Sequence, residues 1–390
     1  MSDAPAGDPL VRRVLAIAPE ADRTGSTPWI RDVLAWARQE RGVEVEAVVC
    51  RDGPLVDDLR ALGPVRVAPT SVATTSSVAH ALRRPGWAHV VEDRWLARAL
   101  AAAGPADVVL AGSPTVAAAL RRHGDRAGPV VAHVDGCGVG AATPPGALDA
   151  ACLVVAATTG AAEWVARPPS RGGLGVSRDR LRLHPGPIAP PSRHARPEAD
   201  DRALVVGCGP VGWRAGTDLF VAVAALVGPS VAGRAVRFTW IGGTDDDGSG
   251  RDASDDVGLR GLGDVVRLSG DQADRADRLA AADVLLVTER DHSYPIAAVE
   301  AALAGTPVLG FRPGTALLEA AGREDLRVDR LDVDRLAQQV VDLLTAPDRG
   351  RLLAGDLARA AADASTPLAA TALWADIERA VAEARPGAGA

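Results

Sequence analysis

Two stretches of the 390-residue chain hold residues whose types and spacing could do chemistry. The first, GCGPVG from Gly207 to Gly212, fits G-x-G-x-x-G and stands between an apolar strand pattern and a helical one. Such glycines let a backbone approach a diphosphate closely, with the amides of a helix N-terminus directed at it. A dinucleotide would also need an acid about 20 positions further on to hold its ribose. The region of Pro229 to Arg234 has none, and the next strand ends TWIGG at Gly243, so the glycines are read as a diphosphate loop without NAD. The second stretch, ERDHSYPIAAVEAALAGTPVLGF, runs from Glu289 to Phe311. Its charged opening holds Asp291 and then His292, the sole histidine in the last third of the chain. After Tyr294-Pro295 it becomes a helix pattern of small residues carrying one acid, Glu300, and then an apolar strand. A lone glutamate on so apolar a helix has to be explained.

The composition narrows what these residues can serve. At 47% hydrophobic residues, 390 positions suit two domains with well-filled cores. Aromatics are only 3%, so Ala, Val and Leu must do the packing. Every basic residue is arginine, which with abundant Ala, Gly and Pro points to GC-rich coding and says nothing of activity. The net charge of −7 and the lack of a basic stripe argue against nucleic acid as a partner. Cys50, Cys137, Cys152 and Cys208 show no C-x-x-C spacing, so neither zinc nor a disulfide framework is expected, and they read as small buried hydrophobes. No apolar run approaches the ~20 residues that span a bilayer. The start lacks the order of a signal peptide, so a cytoplasmic protein is expected.

The elements that must position these residues follow from periodicity. Short β-branched runs alternate with Ala/Leu-rich helical patterns, the sign of an α/β protein with parallel sheets. Strands are expected at residues 14–18, 43–49, 65–68, 108–111, 130–133 and 152–156, with helices over 27–41 and 95–103. The Pro/Arg-rich PGPIAPPSRHARPEADD, from Pro185 to Asp201, cannot form a regular element and is read as a linker. The alternation restarts with strands at 203–207, 236–241, 265–268, 284–287 and 308–310. TPLAATALWADIERAVAEA, from Thr366 to Ala384, predicts a closing amphipathic helix. Two Rossmann-like halves result, at 1–188 and 203–365, and ligands of such folds bind at the carboxyl ends of the strands.

These motifs together resemble the retaining GT-B glycosyltransferases, close to family 4 of the nucleotide-sugar enzymes. VVGCGPVGWRAGTDLFVAVAAL (Val205 to Leu226) is similar to that family's glycine loop and helix, and FTWIGG (Phe238 to Gly243) to its next strand and turn. VVRLSGDQADRADRLAAADVLLVTERDHSYPIAAVEAALAGTPVLGF (Val265 to Phe311) resembles the block that closes its donor site. In the first half, RVLAIAPEADRTGSTPWIRDVLAWAR (Arg13 to Arg38) looks like a first strand, a loop bearing Gly25 and a first helix. RDGPLVDDLRALGPVRV (Arg51 to Val67) is similar to actinobacterial members. The resemblance implies two Rossmann-like domains facing a cleft, with the C-terminal helix returning to the N-terminal domain. It implies an acceptor domain over 1–188, a linker over 189–202, a donor domain over 203–365 and a crossing helix from 366.

The resemblance also assigns roles. Glu300 would bond the ribose hydroxyls of the donor nucleotide, since a carboxylate is a paired acceptor for a vicinal diol. The loop His292, Ser293, Tyr294, Pro295 and Ile296 would turn backbone amides to the donor sugar and diphosphate, beside Gly209. Departures cluster at the same place. The acid expected eight residues before Glu300 is His292, with Asp291 one step early. A lysine and an arginine of the family correspond to Ala215 and Pro210, leaving Arg214 for the diphosphate. In VVAHVDGCG a family histidine near the sugar corresponds to Asp135, with His133 two earlier on the same side of the strand. Retaining transfer by front-face attack needs no protein nucleophile, no cofactor and no metal. It needs charge stabilisation of the leaving diphosphate, which these departures weaken. The expected function is therefore transfer of a sugar from a nucleotide diphosphate to an unknown acceptor. The alternatives are a GT-B protein that binds a nucleotide without transfer, or partners an active enzyme, and a sugar-nucleotide epimerase of similar fold.

Overall fold

Strands rich in Val, Ile, Leu and Ala on both faces are those that a parallel sheet buries between two layers of helices. The computed structural model, which describes residues 10–23, 25–72, 85–123, 128–137, 143, 146–184, 202–243, 248–272, 274–291, 296–329, 331–364 and 367–385, has two such sheets. The chain divides into two units. The described residues up to 135, then 143–184 and 367–385, make the first; 136–137 and 202–364 make the second.

In the first unit β1 (Arg13–Ala18), β2 (Glu44–Val49), β3 (Val65–Val67), β4 (Val108–Ala111), β5 (Val130–Val134), β6 (Ala151–Ala156) and β7 (Leu181–Leu183) lie in the order β3-β2-β1-β4-β5-β6-β7. Every neighbouring pair is parallel. Alternation sends Val14, Ala16 and Ala18 into one core and Leu15 and Ile17 into the other. The first core is covered by the helices Ser26–Arg41 and Val56–Leu62 and by Leu373, Trp374, Ile377 and Val381 of the helix Pro367–Ala384. The second is covered by Pro85–Ala103, Pro114–Arg121 and Thr159–Ala166. Two of these helices start where side chains satisfy free amides. Ser113 accepts from the Val116 amide and Thr158 from that of Ala161.

In the second unit β8 (Ala203–Cys208), β9 (Ser230–Val231), β10 (Arg234–Ile241), β11 (Val266–Leu268), β12 (Val284–Val287), β13 (Val308–Phe311) and β14 (Arg327–Val328) form one sheet. Its order is β11-β10-β8-β12-β13-β14, with β9 paired antiparallel to β10. Counted without β9, the second sheet has the strand order 3-2-1-4-5-6 of dinucleotide-binding folds, and the first has that order with β7 added beside β6. In each the strand order reverses beside the unit's first strand, so the binding crevices open between β1 and β4 and between β8 and β12.

The expected strands recur within two residues of their observed ends, and β7, β9 and β14 are additions. The helix expected over 95–103 starts ten residues earlier, at Pro85, where a proline at the first helical position lacks only an amide that would have had no partner. The stretch 185–201 lies outside the described residues. Among the described residues, no helix is long and apolar enough to cross a membrane.

Candidate active site

The second unit's crevice is built from the loop after β8 and the loop after β12. Gly207 is fixed by packing, since a Cβ there would meet the Trp240 ring at 2.4 Å and Phe220 at 2.9 Å. Phe220 stands edge-on to Trp240, their centroids 5.2 Å apart, and the Trp240 indole donates to the Gly209 carbonyl at 2.9 Å. The glycines of GCGPVG are thus explained by aromatic packing and loop geometry, with no dinucleotide required. The two loops are stitched to each other: the Thr288 hydroxyl donates to the Ala215 carbonyl, and the Arg290 amide to that of Arg214. Gly216, at φ +76°, caps the helix Thr217–Val227, and a Cβ there would lie 2.0 Å from the Thr288 carbonyl oxygen.

Three arginines stand around this crevice in different states. Arg290 is 7% exposed; it grips Asp218 with both arms of its guanidinium, at 2.8 and 2.7 Å, and lies 4.8 Å from the Trp213 ring. Its charge is therefore committed inside the loop. Arg214 has a side chain 55% exposed and stands 3.3 Å from the buried Asp291 carboxylate. Arg275, the first residue of the helix Arg275–Ala281, pairs with Glu300 at 2.6 Å. Ala215 is buried, so a position where the resemblance implies a lysine carries a methyl group inside the unit.

Glu300 sits on the helix Ile296–Leu303, which starts at the expected loop residue Ile296. Its Oε1 is taken by Arg275, whereas Oε2 is buried and has no hydrogen-bond partner among the described residues. Burial pushes the thiol of Cys208, at the end of β8, up to about 12; Arg275 works against that shift, and Glu300, Glu289 and Asp271 add to it. These four charged side chains therefore share the surroundings of the β8 end, in the crevice. Arg275 escaped the sequence reading because nothing in the spacing DQADRADR ties it to an acid 25 residues later. His292, Ser293, Tyr294 and Pro295 lie outside the described residues.

In the first unit the crevice holds Gly25 and Asp135. Gly25 turns at φ +68° ahead of the helix Ser26–Arg41, with no side-chain cap, and a Cβ on it would stand 3.4 Å from the Asp135 carboxylate. Asp135 follows β5 at the carboxyl end of the sheet and is half-buried. His133, two residues earlier, is only 2% exposed and lies inside the unit. Its ring stacks on Trp29 with centroids 4.1 Å apart, and neither of its nitrogens has a hydrogen-bond partner among the described residues. Burial pulls it down to about 3, so it is neutral at ordinary pH. The structure thus brings Gly25 and Asp135 together and keeps His133 in the core. No group of three His, Cys, Asp or Glu side chains among the described residues could hold a metal ion.

Residues 202–346 match the family described as glycosyl transferases group 1. The chain is similar to Anabaena Alr3699/HepE, solved in complex with UDP and glucose, at a TM-score of 0.69 and 15% identity over 94% of this chain and 99% of that one. It is similar to the sucrose-phosphate synthase of Thermosynechococcus elongatus at a TM-score of 0.69 and 16% identity, over 96% and 100% of the two chains. A third likeness is to a mutant of S. aureus TarM, solved with fondaparinux, α-GlcNAc-glycerol and UDP, at a TM-score of 0.67 and 9% identity over 94% and 100%. No curated protein matches the sequence. At such identities the likenesses establish the fold, which is that of GT-B glycosyltransferases: two Rossmann-like domains, each with a parallel sheet.

Proposed function

We propose that this protein is a nucleotide-sugar-dependent glycosyltransferase of the family 4 type, moving a sugar to an acceptor hydroxyl with retention. The observation that carries the reading is Glu300 in the crevice between β8 and β12, with one carboxylate oxygen paired and the other buried and lacking a partner among the described residues. A buried acceptor oxygen without a donor is costly, and the hydroxyls of a nucleotide ribose supply what it lacks. The group 1 match over 202–346 and the UDP complexes of the fold's relatives support the same donor class.

In this reading Arg214 and the amides after Gly209 and around Ser293 to Ile296 meet the diphosphate. The bond from the sugar's anomeric carbon to the diphosphate oxygen breaks, and the acceptor oxygen bonds to that carbon on the same face. Its proton passes to the leaving diphosphate. The resemblance gives His292 a role at the donor sugar. Asp135 against the Gly25 turn serves the sugar and acceptor side, and His133 supports Trp29 from within. The pairing of Arg214 with Asp291 and the buried methyl of Ala215 favour a second reading, a GT-B protein that binds the nucleotide without turnover.

The test is a thermal-shift screen against UDP-, GDP-, ADP- and dTDP-sugars, followed by assay of nucleotide release. One sugar nucleotide is expected to raise the melting temperature and to be turned over. Glu300→Ala should weaken its binding about tenfold to a hundredfold, the scale of a lost charged hydrogen bond. Binding without release selects the second reading. Silence across the panel overturns both.

A further inference from the structure

We propose that Arg275 is a positioning residue that fixes the Glu300 carboxylate and thereby makes the site select nucleotides carrying a ribose diol. The inference rests on the reading of Glu300 as the ribose acceptor and adds to it a residue and a selectivity. A glutamate on a helix turns freely about its terminal bonds, so its oxygens face a ligand only when something holds them. Here the Arg275 guanidinium holds Oε1 at 2.6 Å, with both side chains 17% exposed. A contact that short between charged groups has a narrow range of geometry. It leaves Oε2 buried with no donor among the described residues. The support beneath the pair is rigid. The helices Arg275–Ala281 and Ile296–Leu303 pack on each other, and the Thr306 hydroxyl, beyond the second helix, donates to the Leu279 carbonyl of the first at 2.7 Å. Arg275 has a second effect. Glu300, Glu289 and Asp271 all act on the end of β8, and without the guanidinium that corner would repel a diphosphate.

The experiment uses the full chain and calorimetric titration with UDP, GDP and ADP, each beside its 2′,3′-dideoxy counterpart. Wild type is expected to bind one of the three at least about tenfold more tightly than its dideoxy form. Arg275→Gln should bring that ratio to within about twofold, and Arg275→Lys should recover part of it. A merely structural role would weaken both members of a pair together and leave the ratio alone. A ratio unchanged in Arg275→Gln overturns the inference while the glycosyltransferase reading stands. The inference also falls if wild type binds a nucleotide without distinguishing its dideoxy form. Failure of wild type to bind any of the three overturns the donor reading itself and the inference with it. Urea unfolding checks that Arg275→Gln is folded, and if it is not, the ratio in Arg275→Lys decides.

Discussion

Arg214 and His133 show how differently two candidate residues can be placed by one kind of sheet end. Arg214 is half exposed but pairs with the buried Asp291 carboxylate, so its loss should cost some stability as well as removing the charge available to a leaving diphosphate. Arg214→Ala is expected to lower transfer at least about a hundredfold in protein that urea unfolding shows to be folded. Full transfer in that variant would take the phosphate role from Arg214. His133 is held neutral by burial, down to about 3 against an ordinary value near 6.5. The unfolded chain therefore binds the proton first, and the folded state loses stability as pH falls through that window. The loss approaches about 1.4 kcal/mol per pH unit below 6.5 and ends near 3. His133→Phe should flatten the pH dependence of unfolding between about pH 6 and 4.5, read as a difference from wild type; parallel curves would mean the imidazole is not buried neutral. Glu300 was legible in the sequence because an acid on an apolar helix is conspicuous. Arg275, Arg290 and Asp218 were not, because their pairings join residues 25 and 72 positions apart, which only the folded sheet brings together.

The elements were legible to the extent that burial writes itself into local pattern. Central strands such as β4 and β12 are apolar throughout and appear in the sequence within the bounds observed. Strands β9 and β14 have two residues each, too short for any alternation, and β7 is a three-residue edge strand, Leu-Arg-Leu, with no β-branched residue; each is set by its neighbour in the sheet. The glycine loop teaches a related lesson, since G-x-G-x-x-G described its shape and not its ligand. Gly216 offers the sharpest test of that loop. Its φ of +76° is strained for any side chain, and a Cβ would run into the Thr288 carbonyl, a backbone atom that cannot swing aside. Gly216→Ala is expected to destabilise the second unit by at least about 2 kcal/mol in urea unfolding, with loss of nucleotide binding. A neutral substitution would mean that the loops after β8 and β12 are not stitched as described.

At the scale of the molecule, the second unit is nearly continuous in sequence, whereas the first is assembled from separated pieces. Trp374 is 1% exposed and sits in the first unit's core with Leu373, Ile377 and Val381, its ring 6.0 Å from Trp36. Asp376 on the same helix accepts from His184, at 3.1 Å, and from Arg182, both at the end of β7. Trp374→Ala should cost about 3–5 kcal/mol and be felt by the first unit alone. A protein lacking residues 367–390 is expected to lose the cooperative unfolding of the first sheet, while residues 202–364 by themselves still unfold cooperatively. Retention of both transitions in the shortened protein would rule out this division of labour. The separated pieces also set an order on the ribosome. At roughly 5–20 residues per second, the roughly 190 residues from the end of β7 to Trp374 take about 10–40 s to make. For that interval the nascent first half carries a greasy flank over β6 that awaits the last helix, and its safe passage falls to chaperones until that helix is translated.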